Sequence, residues 1–254
     1  MSESKVVKAV PKMPQSWRQE TKAHKFCPGC GHGMILKALG EVVDELGIQD
    51  RLVFVCDIGC SLLAWDLFNA DGVQTHHGRA TPVATGLKRA NPDLICIAYM
   101  GDGGGYAIGA QHLVNACVRN ERITVLLANN TNYAMTGGQM APTSLIGQKT
   151  ETSPYGRDLA KQGSPMKGPE MVAAITGPGA YSARATVAKY KQMKSYIKKA
   201  VLNQMEGRGF SFVECLSACP TNWKTNAKQT WAFLEEQMGA EFPGGEKKGG
   251  DCNE

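Results

Sequence analysis

Four short strand-like runs limit what this chain can fold into. They are Leu52-Val53-Phe54-Val55-Cys56, Leu94-Ile95-Cys96-Ile97-Ala98-Tyr99, Ile123-Thr124-Val125-Leu126-Leu127-Ala128 and the later Phe210-Ser211-Phe212-Val213-Glu214. The first three are apolar almost throughout, as in strands buried on both faces of a parallel sheet. Between them lie stretches with helical spacing. In residues 34–46 the apolar side chains Ile35, Leu39, Val42, Val43 and Leu46 share one face, and residues 108–118 and 188–205 read the same way. Alternating strands and helices predict an α/β fold, a mostly parallel sheet with helices on both faces. With 254 residues, 43% of them hydrophobic, one large domain has ample material for a core.

The ends differ from the middle. Residues 1–25 read as an extended arm, 26–240 as the domain, and 241–254 as a polar tail whose Gly244–Gly250 stretch predicts disorder. Residues 130–183 are rich in Gly, Pro, Ser and Thr, and a loop of that length in a compact domain is usually functional. The net charge of +5 is modest, but Lys5, Lys8, Lys12, Arg18, Lys22 and Lys25 crowd the arm against Glu3 and Glu20. Without interleaved aromatics or a binding motif, this predicts contact with an acidic partner subunit, not nucleic acid. No apolar run is long enough for a membrane span, and no signal peptide is legible. A cytoplasmic setting follows, in which thiols stay reduced.

Chemistry concentrates where the middle strands end. Gly101-Asp102-Gly103-Gly104-Gly105 follows the second run and enters a helix, and Asn129-Asn130 follows the third. Ligands of open parallel sheets bind outside the carboxyl ends of strands, so both loops should face one crevice. Glycines allow close backbone approach to an anion, and a helix N-terminus favours negative charge. A carboxylate and a carboxamide beside a diphosphate are suitable oxygen ligands for Mg²⁺. Thr75-His76-His77-Gly78-Arg79 offers a second anion-handling segment. There Arg79 could fork onto phosphate or carboxylate, and His77 could donate to phosphate or move a proton.

The nine cysteines form an odd, clustered set, which in a reducing compartment suggests metal ligands plus buried thiols. Cys27-Pro28-Gly29-Cys30 stands just before a helix, where the dipole favours thiolate. Two further ligands are needed, and Cys60 and Cys219, each beyond a strand end, are the best placed, with Cys215 as a substitute. Four thiolates suit either zinc or a [4Fe–4S] cluster. Cys56, Cys96 and Cys117 read as core, and Cys252 lies in the tail.

Taken in order, CPGCG, IGCS, HGR, GDG…NN and Tyr133-Ala134-Met135-Thr136-Gly137-Gly138-Gln139 resemble the beta subunit of 2-oxoacid:ferredoxin oxidoreductases across residues 26–223. The 30-residue interval from Gly101 to Asn130 resembles the thiamine diphosphate motif. Gly104 stands where the family often has a second aspartate, and Ala134 where it often has glycine. Gln139-Met140-Ala141-Pro142-Thr143 leans toward enzymes of 2-oxoisovalerate or 2-oxoglutarate. The resemblance implies Mg²⁺ held by the Asp102 and Asn130 side chains and the Asn132 carbonyl. It also implies a [4Fe–4S] cluster on Cys27, Cys30, Cys60 and Cys219, and catalytic roles for His77 and Arg79. The cofactor would lie against Gly59, Cys60, Ser61, His77, Gly101, Asp102, Gly103, Gly104, Asn130, Asn132, Tyr133, Met135 and Thr136. It further implies coenzyme A and a 2-oxoacid as substrates and an external ferredoxin as acceptor. An alpha subunit would supply the pyrimidine-binding glutamate, alongside gamma and ferredoxin-like delta subunits. Two other readings compete: a non-oxidative thiamine decarboxylase half with structural zinc, and a non-catalytic, metal-stabilised assembly subunit.

Overall fold

The computed structural model of the chain describes residues 13–19 and 24–249. Its strands are β1 (Leu52–Cys56), β2 (Asp71–Gln74), β3 (Ile95–Gly101), β4 (Thr124–Asn129), the small hairpin β5 (Asn132–Tyr133) and β6 (Gln139–Met140), β7 (Tyr181–Thr186), β8 (Ser211–Leu216) and β9 (Gly245–Gly249). Seven of them form one sheet in the order β2-β1-β3-β4-β8-β7-β9, and only the β7–β9 pairing is antiparallel. The helices are α1 (His32–Leu46), α2 (Ala80–Ala90), α3 (Ala110–Val118), α4 (Leu159–Gln162), α5 (Gly168–Ile175), α6 (Tyr190–Met205), α7 (Pro220–Trp223) and α8 (Ala227–Ala232), with short 3₁₀ and π turns between.

The continuous apolar strands are explained by two cores, one on each face. Phe54, Ile97, Tyr99 and Leu126 point toward α1 and α6, whereas Val55, Ala98, Met100 and Val125 point toward α2, α3 and α5. Alternation within a strand therefore switches between two apolar layers, not between core and water. Cys56, Cys96 and Cys117 are buried, as the sequence suggests. Among the described residues no helix is long and apolar enough to cross a membrane.

Three strands of the seven-stranded sheet escaped the apolar pattern. β2 is a largely exposed edge of Asp, Gly, Val and Gln, with nothing apolar to announce it. β7 buries Ser182 and Arg184, whose polarity conceals a strand that is nevertheless fully inside. Gly245–Gly249, read from composition as part of a disordered tail, instead pairs with β7 as the edge strand β9. The arm also differs from a purely solvated segment. The amides of Gln15 and Ser16 donate to the Asp44 carboxylate, and Trp17 is buried edge-on against Phe68. Lys5, Lys8, Lys12, Lys22 and Cys252 lie outside the described residues.

The long segment between β4 and β7 is ordered by a buried cation. Arg157 donates to the carbonyls of Pro142 at 2.8 Å, Ser144 at 2.7 Å, Gly163 at 3.0 Å, Gln162 at 3.2 Å and Ser164 at 2.8 Å. Its five N–H groups thus gather two distant stretches of loop around one guanidinium. Replacing Arg157 by Ala should cost about 3 kcal/mol of stability, because several buried carbonyls lose their donor. Denaturant unfolding measures the loss, and limited proteolysis should nick 141–164 first. A change below about 0.5 kcal/mol, within the range of ordinary surface substitutions, would show that the loop does not depend on this cation.

Candidate functional site

β3 and β4 lie side by side with Gly101 opposite Ala128, so the Asp102 and Asn130 loops leave the same sheet edge together. Asp102 is buried. Its Oδ1 accepts from the Gly103 amide at 2.9 Å, and its Oδ2 accepts from the Thr143 hydroxyl. Burial pushes its carboxyl up to about 7 against those hydrogen bonds, and the nearby Glu214 carboxylate adds to the rise. A carboxylate so placed is stabilised by a cation. Asn130 and Asn132 are also buried. The Asn132 amide nitrogen donates to the Asn130 carbonyl at 2.7 Å, while Asn132 Oδ1 is buried with no partner among the described residues. A buried carboxylate raised by its surroundings and an orphaned buried amide oxygen, on loops that leave adjacent strands, fit a hard metal ion.

The turn between these asparagines is strained. Thr131 has φ +59°, unusual for a β-branched residue, and surrounding groups hold it there. Its amide donates to Asn129 Oδ1 at 3.1 Å, its carbonyl accepts from Ser144 Oγ at 2.6 Å, and its hydroxyl accepts from Gln148 at 2.9 Å. The Trp223 indole donates to the Asn130 carbonyl at 3.1 Å. On the other loop, the Tyr133 ring lies so close to Gly103 that a Cβ there would come within 2.1 Å of it. Glycine at 103 is therefore required by packing as well as by anion approach.

Behind both loops sits a buried ion pair. Glu214 Oε1 accepts from the Tyr106 hydroxyl at 2.7 Å and from Asn129 Nδ2 at 3.1 Å, and its Oε2 accepts from Arg184. Arg184 is wholly buried and also forks onto Glu170 at 2.6 and 2.8 Å. One carboxylate thus anchors the turn after β3 through Tyr106 and the turn after β4 through Asn129. Neither Glu214 nor Arg184 stood out in the sequence.

The cysteine set converges on this crevice. Cys30 lies within electrostatic range of Cys219, Cys60 and Cys27, and Cys60 within range of Cys219, Cys27 and Asp102. Burial pushes the Cys30 and Cys60 thiols up to about 12, and burial likewise raises Cys219. Hydrogen bonds oppose the rise at Cys219, from the Asn222 backbone and from the side chains of Asn132 and Asn222. Asn132 therefore touches both the Asn130 turn and a thiol. Cys215 is fully buried inside β8, whereas Cys219 emerges beyond it. Among the described residues, no three His, Cys, Asp or Glu side chains form a preformed metal cage. Half-buried sulfurs that repel one another as thiolates nevertheless suit a cationic metal centre. His32 lies beneath, neutral because burial lowers it to about 4, with Nδ1 2.5 Å from the Tyr99 hydroxyl.

Other expected residues are less committed. His77 is exposed, and Arg79 donates to the His77 carbonyl at 3.2 Å and the Ile108 carbonyl at 3.5 Å, so its fork is turned onto backbone. Ser61 is buried and donates to the Asp57 carbonyl at 2.9 Å, and Gly59 leaves open space above it. Met135 and Thr136 are exposed at the mouth, Thr136 paired with Gln139. Sequence reasoning gave no role to Asp57, Thr143 or Asn222, although Asp57 directly precedes the IGCS motif and Thr143 ends the segment from Gln139.

The Glu214 anchor generates a contrast between variants. Glu214→Gln should cost about 3 kcal/mol, because it leaves Arg184 short of a buried counter-charge. Cofactor affinity should fall with it, since both loops share that anchor. Tyr106→Phe, which removes one hydrogen bond, should cost only about 1 kcal/mol. Equal losses for the two variants, read by unfolding and cofactor titration, would contradict the anchoring role.

Comparison with known proteins agrees with this geometry. Residues 57–215 match the thiamine pyrophosphate enzyme family, C-terminal TPP-binding domain, TPP being thiamine diphosphate. The chain is 43% identical to the ketoisovalerate oxidoreductase subunit VorA of Methanothermobacter thermautotrophicus, over 87% of this chain and 47% of VorA. It is 38% identical to the 2-oxoglutarate synthase subunit KorB of Archaeoglobus fulgidus, over 84% of this chain and 76% of KorB. The chain spans about half the length of the VorA relatives it matches. Among solved structures it resembles the 2-oxoglutarate:ferredoxin oxidoreductase of Magnetococcus marinus with 2-oxoglutarate, coenzyme A and succinyl-CoA bound. That match has a TM-score of 0.73 and 33% identity, over 85% of this chain and 70% of the other. The chain therefore belongs to the thiamine pyrophosphate enzymes, as a TPP-binding component of the 2-oxoacid oxidoreductase type.

Proposed function

We propose that this chain is the beta component of a complex that converts a 2-oxoacid, coenzyme A and two oxidised ferredoxins into acyl-CoA, CO₂, a proton and two reduced ferredoxins. The observation that carries the reading is that the cysteine segments meet beside the loops of the diphosphate motif: the Gly31 amide donates to the Ala218 carbonyl at 3.0 Å, and Asn222 Nδ2 donates to the Ala134 carbonyl at 2.8 Å and to Cys219 Sγ at 3.7 Å. A non-oxidative decarboxylase or an assembly subunit has no need of sulfur ligands beside its diphosphate loop. An electron-transferring enzyme does.

When bound, thiamine diphosphate supplies a thiazolium that accepts the electrons released as the 2-oxoacid loses CO₂. A [4Fe–4S] cluster supplies a one-electron route out of the site. The residues of this chain hold those groups and keep water away. Asp102, Asn130 and Asn132 would hold Mg²⁺, and Thr143 orients the Asp102 carboxylate. Gly101, Gly103 and Gly104 leave backbone room for the diphosphate. Cys27, Cys30, Cys60 and Cys219 would hold the cluster, with hydrogen bonds from Asn132 and Asn222 favouring the thiolate form of Cys219. His77 and Arg79 stand at the mouth, where rotation of Arg79 off its carbonyls would present the fork to a carboxylate. A partner alpha component supplies the pyrimidine-binding glutamate, and gamma and ferredoxin-like delta components complete the route to ferredoxin. The substrate is a 2-oxoacid of the 2-oxoisovalerate or 2-oxoglutarate kind.

The test is anaerobic purification of the chain with the products of its neighbouring genes. About four iron and four sulfide per chain are expected, with a brown absorption that bleaches on reduction. Cys60→Ser should lower iron content and ferredoxin reduction while thiamine diphosphate still binds. Asp102→Ala should remove Mg²⁺-dependent cofactor binding and spare the iron. One zinc per chain, no colour, and 2-oxoacid decarboxylation unaffected by Cys60→Ser would sink the oxidative reading. The chain purified alone should show no turnover, and measurable 2-oxoacid oxidation by it would dismiss the alpha partner.

A further inference from the structure

Asp57 is buried at the carboxyl end of β1, outside the Asp102, asparagine and cysteine sets. Its Oδ1 accepts from the Gly78 amide at 2.6 Å, inside the turn that carries His77 and Arg79. That turn has no room to adjust. Gly78 has φ +68°, and a Cβ there would meet the Gly109 backbone at 2.4 Å. The second carboxylate oxygen, Oδ2, is buried without a hydrogen-bond partner among the described residues. It points at Gly104, where a Cβ would come within 1.9 Å of Oδ2, 3.2 Å of the carboxyl carbon and 4.0 Å of Oδ1. A side chain at 104 and the carboxylate of Asp57 therefore compete for the same volume.

We propose that Asp57 is a positioning residue, one that clamps the His77–Arg79 turn against the Gly103–Gly104 loop, and that positions 57 and 104 share a single carboxylate site. The inference rests on the function proposed above and adds a residue to its machinery. The clamp runs from the end of β1 to the loop after the neighbouring strand β3. With the carboxylate on residue 57, residue 104 must be glycine. An aspartate at 104 would extend from its Cβ into the space left by an emptied position 57, toward the same Gly78 amide. Burial brings the Asp57 carboxyl up to about 6, and the Gly78 hydrogen bond and then His77 oppose the rise. A lost clamp therefore releases the turn.

The experiment compares Asp57→Gly, Gly104→Asp and the double variant in the co-purified complex, with Asp57→Asn as a conservative control. Asp57→Gly should stay folded with a Tm lowered by only a few degrees, because the Gly78 amide loses its buried acceptor, and should lower kcat/KM about a hundredfold, the size expected when reacting groups are misplaced by about an ångström. Gly104→Asp alone should lose cofactor binding or fail to assemble. Asp57→Gly/Gly104→Asp should recover kcat/KM at least about tenfold above the worse single variant, a coupling expected only of groups in contact. Asp57→Asn still accepts from Gly78 and should stay closer to the parent than Asp57→Gly. An Asp57→Gly complex with parental kcat/KM overturns the clamp. So does a folded double variant with parental Tm and no recovery. Should the parent complex lack 2-oxoacid oxidation, the proposed reaction fails instead, and thiamine diphosphate Kd across the same four variants still decides the clamp.

Discussion

The buried Glu214–Arg184 pair is the interaction on which the crevice depends. Two charges removed from water are stable only when they are paired and hydrogen-bonded, and here both are. Glu214 has Arg184, Tyr106 and Asn129, and Arg184 has Glu214 and both oxygens of Glu170. Because Tyr106 follows the β3 loop and Asn129 ends β4, the pair fixes the spacing between the two halves of the diphosphate motif. An apolar core would not hold these polar turns at one separation. The network extends to β9, whose Lys247 reaches Glu170 at 3.3 Å. The late edge strand thus helps to close the charge network that supports a site at the opposite ends of other strands.

The same crevice concentrates groups that are unstable alone. The Asp102 carboxyl is pushed up to about 7 and the Cys30 and Cys60 thiols to about 12, and among the described residues Asn132 Oδ1 and Asp57 Oδ2 have no hydrogen-bond partner. Each raised value has burial as its main cause, with negative neighbours adding to it. Positive charge relieves all of them together. A site built this way favours positive charge, because a cation near one buried acid lowers the cost of ionising its neighbours.

The sequence displayed those parts of the fold whose chemistry is local. Apolar runs revealed β1, β3, β4 and β8, because helices cover both faces of each. It concealed β7, where Arg184 and Ser182 are buried by pairing, since pairing partners thirty residues apart leave no local pattern. The site was legible in the same way. Asp102 and Asn130 stand in short motifs at strand ends, as do Cys60 and Cys219, while Cys27 and Cys30 stand in a CxxC before α1. Thr143, which orients Asp102, sits in a loop without periodicity, and Asp57 becomes visible only through the empty space at Gly104. Arg79 was legible as a cation but not as one folded onto Ile108, because a rotamer depends on what surrounds it.

The strain at Thr131 explains why so much of the loop between β4 and β7 is needed. A positive φ at a β-branched residue persists only when its surroundings over-determine it. Ser144 and Gln148 provide that constraint, and both belong to the stretch that Arg157 gathers through its carbonyl contacts. The strained turn in turn brings the Asn130 and Asn132 oxygens to the Asp102 side of the crevice, with Thr143 of the same stretch on the Asp102 carboxylate. A loop that looks irregular in sequence is therefore a second scaffold. Its own cation replaces the apolar core it lacks, and through Glu214, Thr131 and Thr143 it shares control of one oxygen-rich pocket with the sheet.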